Sequence, residues 1–171
     1  MPTVNKINSC LWFDNQAEVA ARYYSSIFKK SKIGIISYYG KEGFEEHKRP
    51  EGSVMTVQFW LEDHEFLALN GGPVFKFNES VSFVVNCDTQ EEIDYYWEKL
   101  SAGGDVKSQQ CGWLKDKFGL SWQIVTPFLA EVHSQKTSAK TESVMHAMMQ
   151  MKKLDIAKLR EAYEHPALTE A

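Results

Sequence analysis

The sequence predicts an α+β domain made of two consecutive β-α-β-β-β modules, followed by a helical extension. Three observations support this prediction. A strand-like stretch runs directly into a helix-like stretch twice, at residues 10–28 and again at residues 80–100. Each helix-like stretch is followed by short apolar stretches separated by turn residues. Beyond residue 130 the strand pattern stops and helical spacing takes over.

The first strand and helix are joined by only three polar residues, in the stretch CLWFDNQAEVAARYYSSIF. Strand side chains alternate between two faces, with Ile7, Ser9 and Leu11 in one set and Asn8, Cys10 and Trp12 in the other. Apolar residues then recur at the helical period up to Phe28. Asn15 and Glu18 have the spacing of a capping box, which predicts a helix that begins near Asn15.

The second joint, in SVSFVVNCDTQEEIDYYWEKL, repeats the first. Thr89 and Glu92 stand in the places that Asn15 and Glu18 occupy in the first joint, and both helices contain a Tyr-Tyr pair. They predict a second helix that begins near Thr89 and has Trp97 in its packed face. The preceding strand alternates between Val81, Phe83 and Val85 on one face and Ser80, Ser82 and Val84 on the other.

Three strand-like stretches follow each helix. The first set is KIGIISYY, VMTVQFWL and EFLALN, which ends at Gly71-Gly72-Pro73, and the second set is VKSQQ, GWLKD and GLSWQIVTP. We therefore expect one domain over residues 1–130, with module one at 4–73 and module two at 79–128. The modules should form a curved, mostly antiparallel sheet with the helices outside.

Residues 131–171 have a different character and are predicted to form a linker and a C-terminal helical extension. Residues 134–143 are polar and without apolar period, as in a linker or a helix start. The next segment is rich in methionine and has helical spacing, which predicts one or two helices packed on the body or across a dimer seam. His165-Pro166 marks their expected end.

Composition excludes several classes of partner. The net charge is −4, from 23 acidic and 19 basic residues without a basic stripe, so nucleic acid is not expected to bind. No apolar run reaches the ~20 residues of a membrane span, and no secretory signal is evident. The three cysteines show no C-x-x-C spacing, which favours reduced thiols and a cytoplasmic protein. Cys111, beside Gly112, is the one candidate for reactivity.

The module order, with LWFDNQAEVAARYY in the first half and FGLSWQIV in the second, resembles the vicinal oxygen chelate superfamily of glyoxalases, bleomycin-resistance proteins and dioxygenases. Within it, these stretches are most similar to the PhnB-like group, which often carries the label 3-demethylubiquinone-9 3-methyltransferase. The resemblance covers about residues 4–128. It implies clefts built within one chain or by halves exchanged between two chains, so a homodimer is expected.

The resemblance also implies four metal-ligand positions, one on the first and last strand of each module, usually occupied by His, Gln or Glu. The matching places in this chain are Ile7 or Ser9, Ala68 or Asn70, Ser80 or Ser82, and Gln123. Hydroxyls and neutral amides are weak ligands for transition metals. The five histidines show no close metal-ligand spacing either. We therefore expect no metal and no cofactor.

Methyl transfer, which the family label suggests, is not expected. A methyltransferase of the common doubly wound type, which uses S-adenosylmethionine, needs a glycine-rich turn after its first strand. In this chain Gly71-Gly72-Pro73 leads to another strand, and no G-x-G-x-x-G occurs.

The remaining prediction is a cavity for a small molecule. We expect hydroxyl, amide and aromatic side chains to bind the ligand, namely Ser9, Asn70, Ser82, Trp113 and Gln123. An alternative is that the polar members lie in a closed core and satisfy one another or bind water. The predicted function is small-molecule binding or sequestration. The alternatives are a metal-dependent lyase, isomerase or dioxygenase, and a methyltransferase.

Overall fold

The computed structural model describes residues 6–166, which form seven strands and six α-helices. The chain divides into two compact units, Met1–Phe77 and Asn78–Ala171, and the division falls between the two predicted modules. The predicted boundary at residue 130 stays a prediction. None of the described helices combines the length and the apolar composition needed to cross a membrane.

The first unit contains a complete β-α-β-β-β module. Its elements are β1 (Ser9–Phe13), α1 (Ala17–Ile27), β2 (Ser31–Tyr38), the short helix α2 (Phe44–His47), β3 (Val54–Leu61) and β4 (His64–Asn70). The strand order is β1-β4-β3-β2, with β1 parallel to β4 and the other two pairs antiparallel. This arrangement confirms the predicted α+β class and the predicted order of elements.

Helix α1 packs on one face of this sheet. Its buried side chains are Ala17, Ala20, Ala21, Tyr24 and Ile27. The sheet contributes alternate buried residues, namely Leu11 and Phe13 from β1, Val57, Phe59 and Leu61 from β3, and Phe66 and Ala68 from β4. The Tyr24 ring stacks on the Phe59 ring with centroids 6.3 Å apart. Small alanines on the packed face let the helix lie close to these large rings.

The start of α1 is stabilised differently from the prediction. The N-cap residue is Gln16, whose side chain makes no capping hydrogen bond, and no Asn15–Glu18 capping box forms. Instead, Asn70 Oδ1 at the end of β4 accepts a hydrogen bond from the Ala17 backbone N–H at 2.8 Å. The predicted helix was correct, but the predicted capping box was wrong.

The second unit contains a shorter sheet and most of the helices. Its elements are β5 (Ser82–Asn86), α3 (Gln90–Ser101), a 3₁₀ helix (Val106–Ser108), β6 (Trp113–Lys115), β7 (Ser121–Val125), α4 (Pro127–His133), α5 (Ala139–Met149) and α6 (Ile156–Glu164). The strand order is β5-β7-β6, with β5 parallel to β7 and β6 antiparallel to it. Helix α3 packs on β7 and β6.

The predicted strand VKSQQ is wrong, because this stretch begins with the 3₁₀ helix. Asp105 Oδ1 accepts a hydrogen bond from the Lys107 N–H at 2.9 Å, and the Ser108 hydroxyl donates to the Asp105 carbonyl at 2.6 Å. Such local side-chain bonds offer the backbone an alternative to a strand. Within the described residues, the second sheet therefore has three strands where the first has four.

Helix α3 begins where the sequence predicted. Thr89 Oγ1 accepts a hydrogen bond from the Glu92 N–H at 3.3 Å, while the Glu92 carboxylate accepts from the Asp88 N–H at 2.9 Å. The helix buries Ile93 and Leu100, whereas Trp97 is only half-buried. Trp97 is thus less buried than Ile93 and Leu100, and its contribution to the core stays a prediction.

The segment between helices α5 and α6 is joined to the loop before β6 by backbone hydrogen bonds. Ser138 caps α5 in a reciprocal bond with Thr141, and α6 ends just before His165, as predicted. Between these helices, the Met151 and Lys152 carbonyls accept hydrogen bonds from the N–H groups of residues 111 and 112 at 2.8 and 2.7 Å. The segment after α5 thus pairs with the loop before β6.

Candidate ligand-binding site

The second sheet has one face packed under helix α3 and one face pointing away from it. Val85, Leu114, Trp122 and Ile124 are buried on the packed side. Gln123 lies between Trp122 and Ile124 in β7, so its side chain points away from α3, as strand alternation predicted. The side chains on that side, which we call the Gln123 face, are Ser82, Val84, Asn86, Trp113, Lys115, Ser121, Gln123 and Val125.

Three of the five predicted site residues come together on the Gln123 face. The register places Gln123 opposite Val84 on β5 and opposite Trp113 on β6. The Gln123 Nε2 group donates a hydrogen bond to Ser82 Oγ at 2.9 Å. Ser82, Trp113 and Gln123 are all half-buried. Within residues 6–166 no group donates to Gln123 Oε1, so this oxygen is available to accept a hydrogen bond from a ligand.

A second polar row lies beside Gln123 and was missed from the sequence. Ser121 pairs with Ser82 on one side and with Lys115 on the other. Lys115 forms an ion pair with Glu79. The hydrogen bond that the Lys115 ammonium group donates to the Glu79 carboxylate holds the pKa of Glu79 below its ordinary value. The alternation that turns Gln123 away from α3 also turns Ser121 and Lys115 the same way, so the signal was present in the sequence.

The turn between β6 and β7 is fixed by a buried carboxylate. Asp116 is 2% exposed, and its Oδ1 accepts hydrogen bonds from the Phe118 and Leu120 N–H groups at 2.8 and 3.1 Å. Its Oδ2 accepts from the Trp122 indole N–H at 2.8 Å. Because three donors satisfy one carboxylate, the turn and β7 are held in a single register. Nothing in the local sequence pattern singled out Asp116 for this role.

Strand β6 is also held from its other side by close backbone packing. The Lys115 N–H donates a hydrogen bond to Ser108 Oγ at 2.8 Å. A Cβ added at Gly104 would lie 2.0 Å from the Lys115 carbonyl oxygen, a distance that no side chain tolerates. Glycine at this position therefore lets the loop after α3 approach the strand that contains Trp113 and Lys115.

The other two predicted site residues lie in the first unit, on the side of its sheet that faces α1. Asn70 is buried, and besides capping Ala17 its Nδ2 donates to the Val54 carbonyl at 3.0 Å. The Ser9 hydroxyl lies 2.9 Å from His64 Nε2. Asn70 thus has a packing role and Ser9 a polar partner in the first unit. A ligand-binding role for either residue stays a prediction.

The residues at the superfamily's metal positions do not fit a transition-metal site. Their polar atoms are hydroxyls and amides, and the Asn70 amide is already engaged at both ends. Across residues 6–166, no three His, Cys, Asp or Glu side chains are grouped so that they could hold an ion.

Comparison with known proteins identifies the family. A model of the family described as 3-demethylubiquinone-9 3-methyltransferase matches residues 5–125. The chain belongs to this family. The solved structure of a PhnB protein from Bacillus cereus is 35% identical and covers 71% of this chain and 99% of its own, with a TM-score of 0.60. These two matches confirm the resemblance to the PhnB-like group.

A second structure shows the fold alone. Protein PA1353 from Pseudomonas aeruginosa is 17% identical over 72% of this chain and 98% of its own, with a TM-score of 0.54. No match was found among curated proteins. The family match ends at Val125, the last residue of β7, so helices α4, α5 and α6 lie outside it.

Proposed function

We propose that this protein binds a small organic molecule on the Gln123 face of its second sheet. The observation that supports this most directly is the Gln123–Ser82 hydrogen bond beside the half-buried Trp113 indole. An amide, a hydroxyl and a flat apolar ring on one face are what ligand sites use to combine apolar contact with a few oriented polar bonds. Membership of the PhnB-like group supports the same function.

The chemistry of this face suits binding better than the alternative reactions. Gln123 Oε1 accepts a hydrogen bond, and the indole of Trp113 provides apolar area with little loss of side-chain freedom. A metal-assisted reaction would need ligands that the described residues do not group together. Methyl transfer in a doubly wound fold would need a parallel sheet, whereas both sheets here are mixed.

The test is a thermal-shift screen of metabolites against the purified protein, followed by titration of the hits with variants. Gln123→Leu should leave the fold intact and weaken binding about fivefold or more, because one hydrogen bond contributes about 1 kcal/mol. Gln150→Leu, the same change at an exposed position, is the matched control and should leave affinity unchanged. Ile124→Ala, at a fully buried neighbour, should destabilise the fold by roughly 2–5 kcal/mol.

Two outcomes would contradict the proposal. If Gln123→Leu lowers the melting temperature as far as Ile124→Ala does, Gln123 is a core residue. If the hits bind Gln123→Leu as tightly as they bind the control Gln150→Leu, the ligand lies elsewhere.

We further propose that the protein is a cytoplasmic homodimer. Val81 and Val84 at edge strand β5 are 63% and 51% exposed, and apolar edges of this kind are covered in many assemblies. The three cysteines are free thiols, as expected in a reducing compartment. Light scattering after size-exclusion chromatography should give twice the chain mass, and a monomer at all concentrations would contradict the dimer.

A further inference from the structure

Three side chains form one row across the second sheet, next to the row that holds Gln123. Ser121 pairs with Ser82 on β5 and with Lys115 on β6, so two hydroxyls and one ammonium group point from the same face. Neighbouring strands lie about 4.8 Å apart. At the backbone, Ser121 therefore lies about 4.8 Å from Ser82 and from Lys115, which flank it on the two outer strands.

The hydroxyl in the middle of this row has no hydrogen-bond partner within the described part of the chain. Ser121 is 1% exposed, and its Oγ has no hydrogen-bond partner among residues 6–166. A buried hydroxyl without a partner is unfavourable, because it has lost its contacts with water and has gained none in return. Such a group in a native protein needs an explanation, and a bound ligand atom supplies one.

The ammonium group in the row already binds a carboxylate. The Lys115 side chain is 23% exposed, and it pairs with Glu79, whose side chain is 63% exposed. An ion pair with so exposed a partner contributes little to stability, so another carboxylate can replace Glu79 at small cost. The single charge of Lys115 matches the single negative charge of a carboxylate better than the two charges of a phosphate.

We propose that Ser82, Ser121 and Lys115 bind the carboxylate of a small organic acid whose flat apolar body lies on Trp113. This inference rests on the proposed function and names its ligand class. The two hydroxyls and the ammonium group donate to the carboxylate oxygens, and Glu79 is displaced toward solvent. Gln123 keeps Ser82 in place through the 2.9 Å hydrogen bond and offers its Oε1 to the ligand body.

The experiment compares 2-naphthoate with 2-naphthamide by isothermal titration, because the two probes share one shape and differ in charge. The wild-type protein should bind naphthoate at least about tenfold more tightly, since hydrogen bonds to a charged group are the strong ones. Lys115→Met should remove this preference. Lys153→Met removes the same charge from an exposed ion pair with Asp94 in the same unit, and should leave the preference unchanged.

Two further variants should change the affinity for naphthoate in opposite directions. Ser121→Ala should weaken naphthoate binding about fivefold while leaving stability unchanged or higher, because it removes an unpaired buried hydroxyl. Glu79→Gln should strengthen naphthoate binding severalfold, because it removes the competing carboxylate. In a ¹⁵N spectrum, naphthoate should shift the Trp113 indole signal and leave that of Trp97, on helix α3, in place.

Several results would overturn the inference. If naphthoate and naphthamide bind equally well and Gln123→Leu weakens both, the carboxylate site is refuted but the proposed function is not. If Lys115→Met and Lys153→Met lose the preference for naphthoate equally, the preference is a general charge effect and not a property of this site. Absence of naphthoate binding at about 1 mM, an affinity of only about −4 kcal/mol, would also overturn it. If the affinity of the screen hits is unchanged by Gln123→Leu, the proposed function itself is refuted.

Discussion

Replacing Asn70 with alanine should destabilise the first unit rather than weaken ligand binding. Asn70 joins three elements, because its Oδ1 caps α1 at the Ala17 N–H and its Nδ2 donates to the Val54 carbonyl at the start of β3. Its own carbonyl accepts a hydrogen bond from the Tyr39 hydroxyl at 2.6 Å, a bond that alanine would keep. The substitution therefore removes only the two side-chain bonds.

The expected loss follows from these two bonds. Removing an N-terminal cap costs about 1 kcal/mol, and leaving the part-buried Val54 carbonyl without this donor costs about 1–3 kcal/mol. The free energy of unfolding should fall by about 2–4 kcal/mol, since Asn70 is only 7% exposed and water replaces these bonds poorly. Asn86→Ala, at an exposed position on β5, should change it by less than about 0.5 kcal/mol.

Urea unfolding followed by circular dichroism measures the loss, and amide hydrogen exchange locates it. Exchange should accelerate first in the opening turn of α1, whose cap has been removed. Stability within about 0.5 kcal/mol of wild type, together with lost binding of a screen hit, would refute this reasoning. It would return Asn70 to the ligand-binding role that its sequence position suggested.

Two further predictions concern the second unit. Gly104→Ala should destabilise it by roughly 1–3 kcal/mol or more because the new Cβ would lie 2.0 Å from the Lys115 carbonyl, while Gly40→Ala, with no described atom within 4 Å of its Cβ, should be nearly neutral in the same urea assay. Burial raises the pKa of the Cys87 thiol to about 12, so iodoacetamide at pH 8 should modify it only after unfolding, which mass spectrometry would show. Because the pKa of Cys87 is higher in the folded protein than in the unfolded chain, its contribution to folding stability is complete below pH 9.0 and is lost as the pH rises toward 12. Rapid modification of Cys87 in the folded protein would contradict the raised pKa.

Strand alternation predicted the orientation of Gln123 but could not predict that of Asn70. In β7 one set of side chains is strongly apolar, with Trp122 and Ile124 on either side of Gln123, so the packed face is evident. In β4 both sets are apolar, because Leu67 and Leu69 alternate with Phe66 and Ala68. Alternation separates the two sets, but only the packing of α1 decides which one is buried.

Local patterns also failed where contacts between distant residues decide the structure. The cap of α1 joins residues 53 apart in sequence, so the search for a capping box around Asn15 could not find Asn70. VKSQQ was predicted as a strand because it follows the turn residues Gly103-Gly104, but Asp105 and Ser108 bind the backbone of their own turn instead. Helix α1 was therefore placed correctly but its cap was not, whereas the type of the VKSQQ element was itself wrong.

The C-terminal helices, predicted as an appended extension, support the strand that presents the candidate site. The N–H of Gly112 donates to the Lys152 carbonyl at 2.7 Å, directly before Trp113 begins β6. Gly112 has a φ of +86°, and a Cβ there would lie 2.8 Å from the Ile124 carbonyl oxygen and 3.2 Å from Leu154 Cδ1. Leu154 is fully buried, so the segment after α5 closes the packed side of the sheet at this point. Because the family match ends before α4, this chain holds β6, with its Trp113 and Lys115, by contacts that lie outside the family pattern.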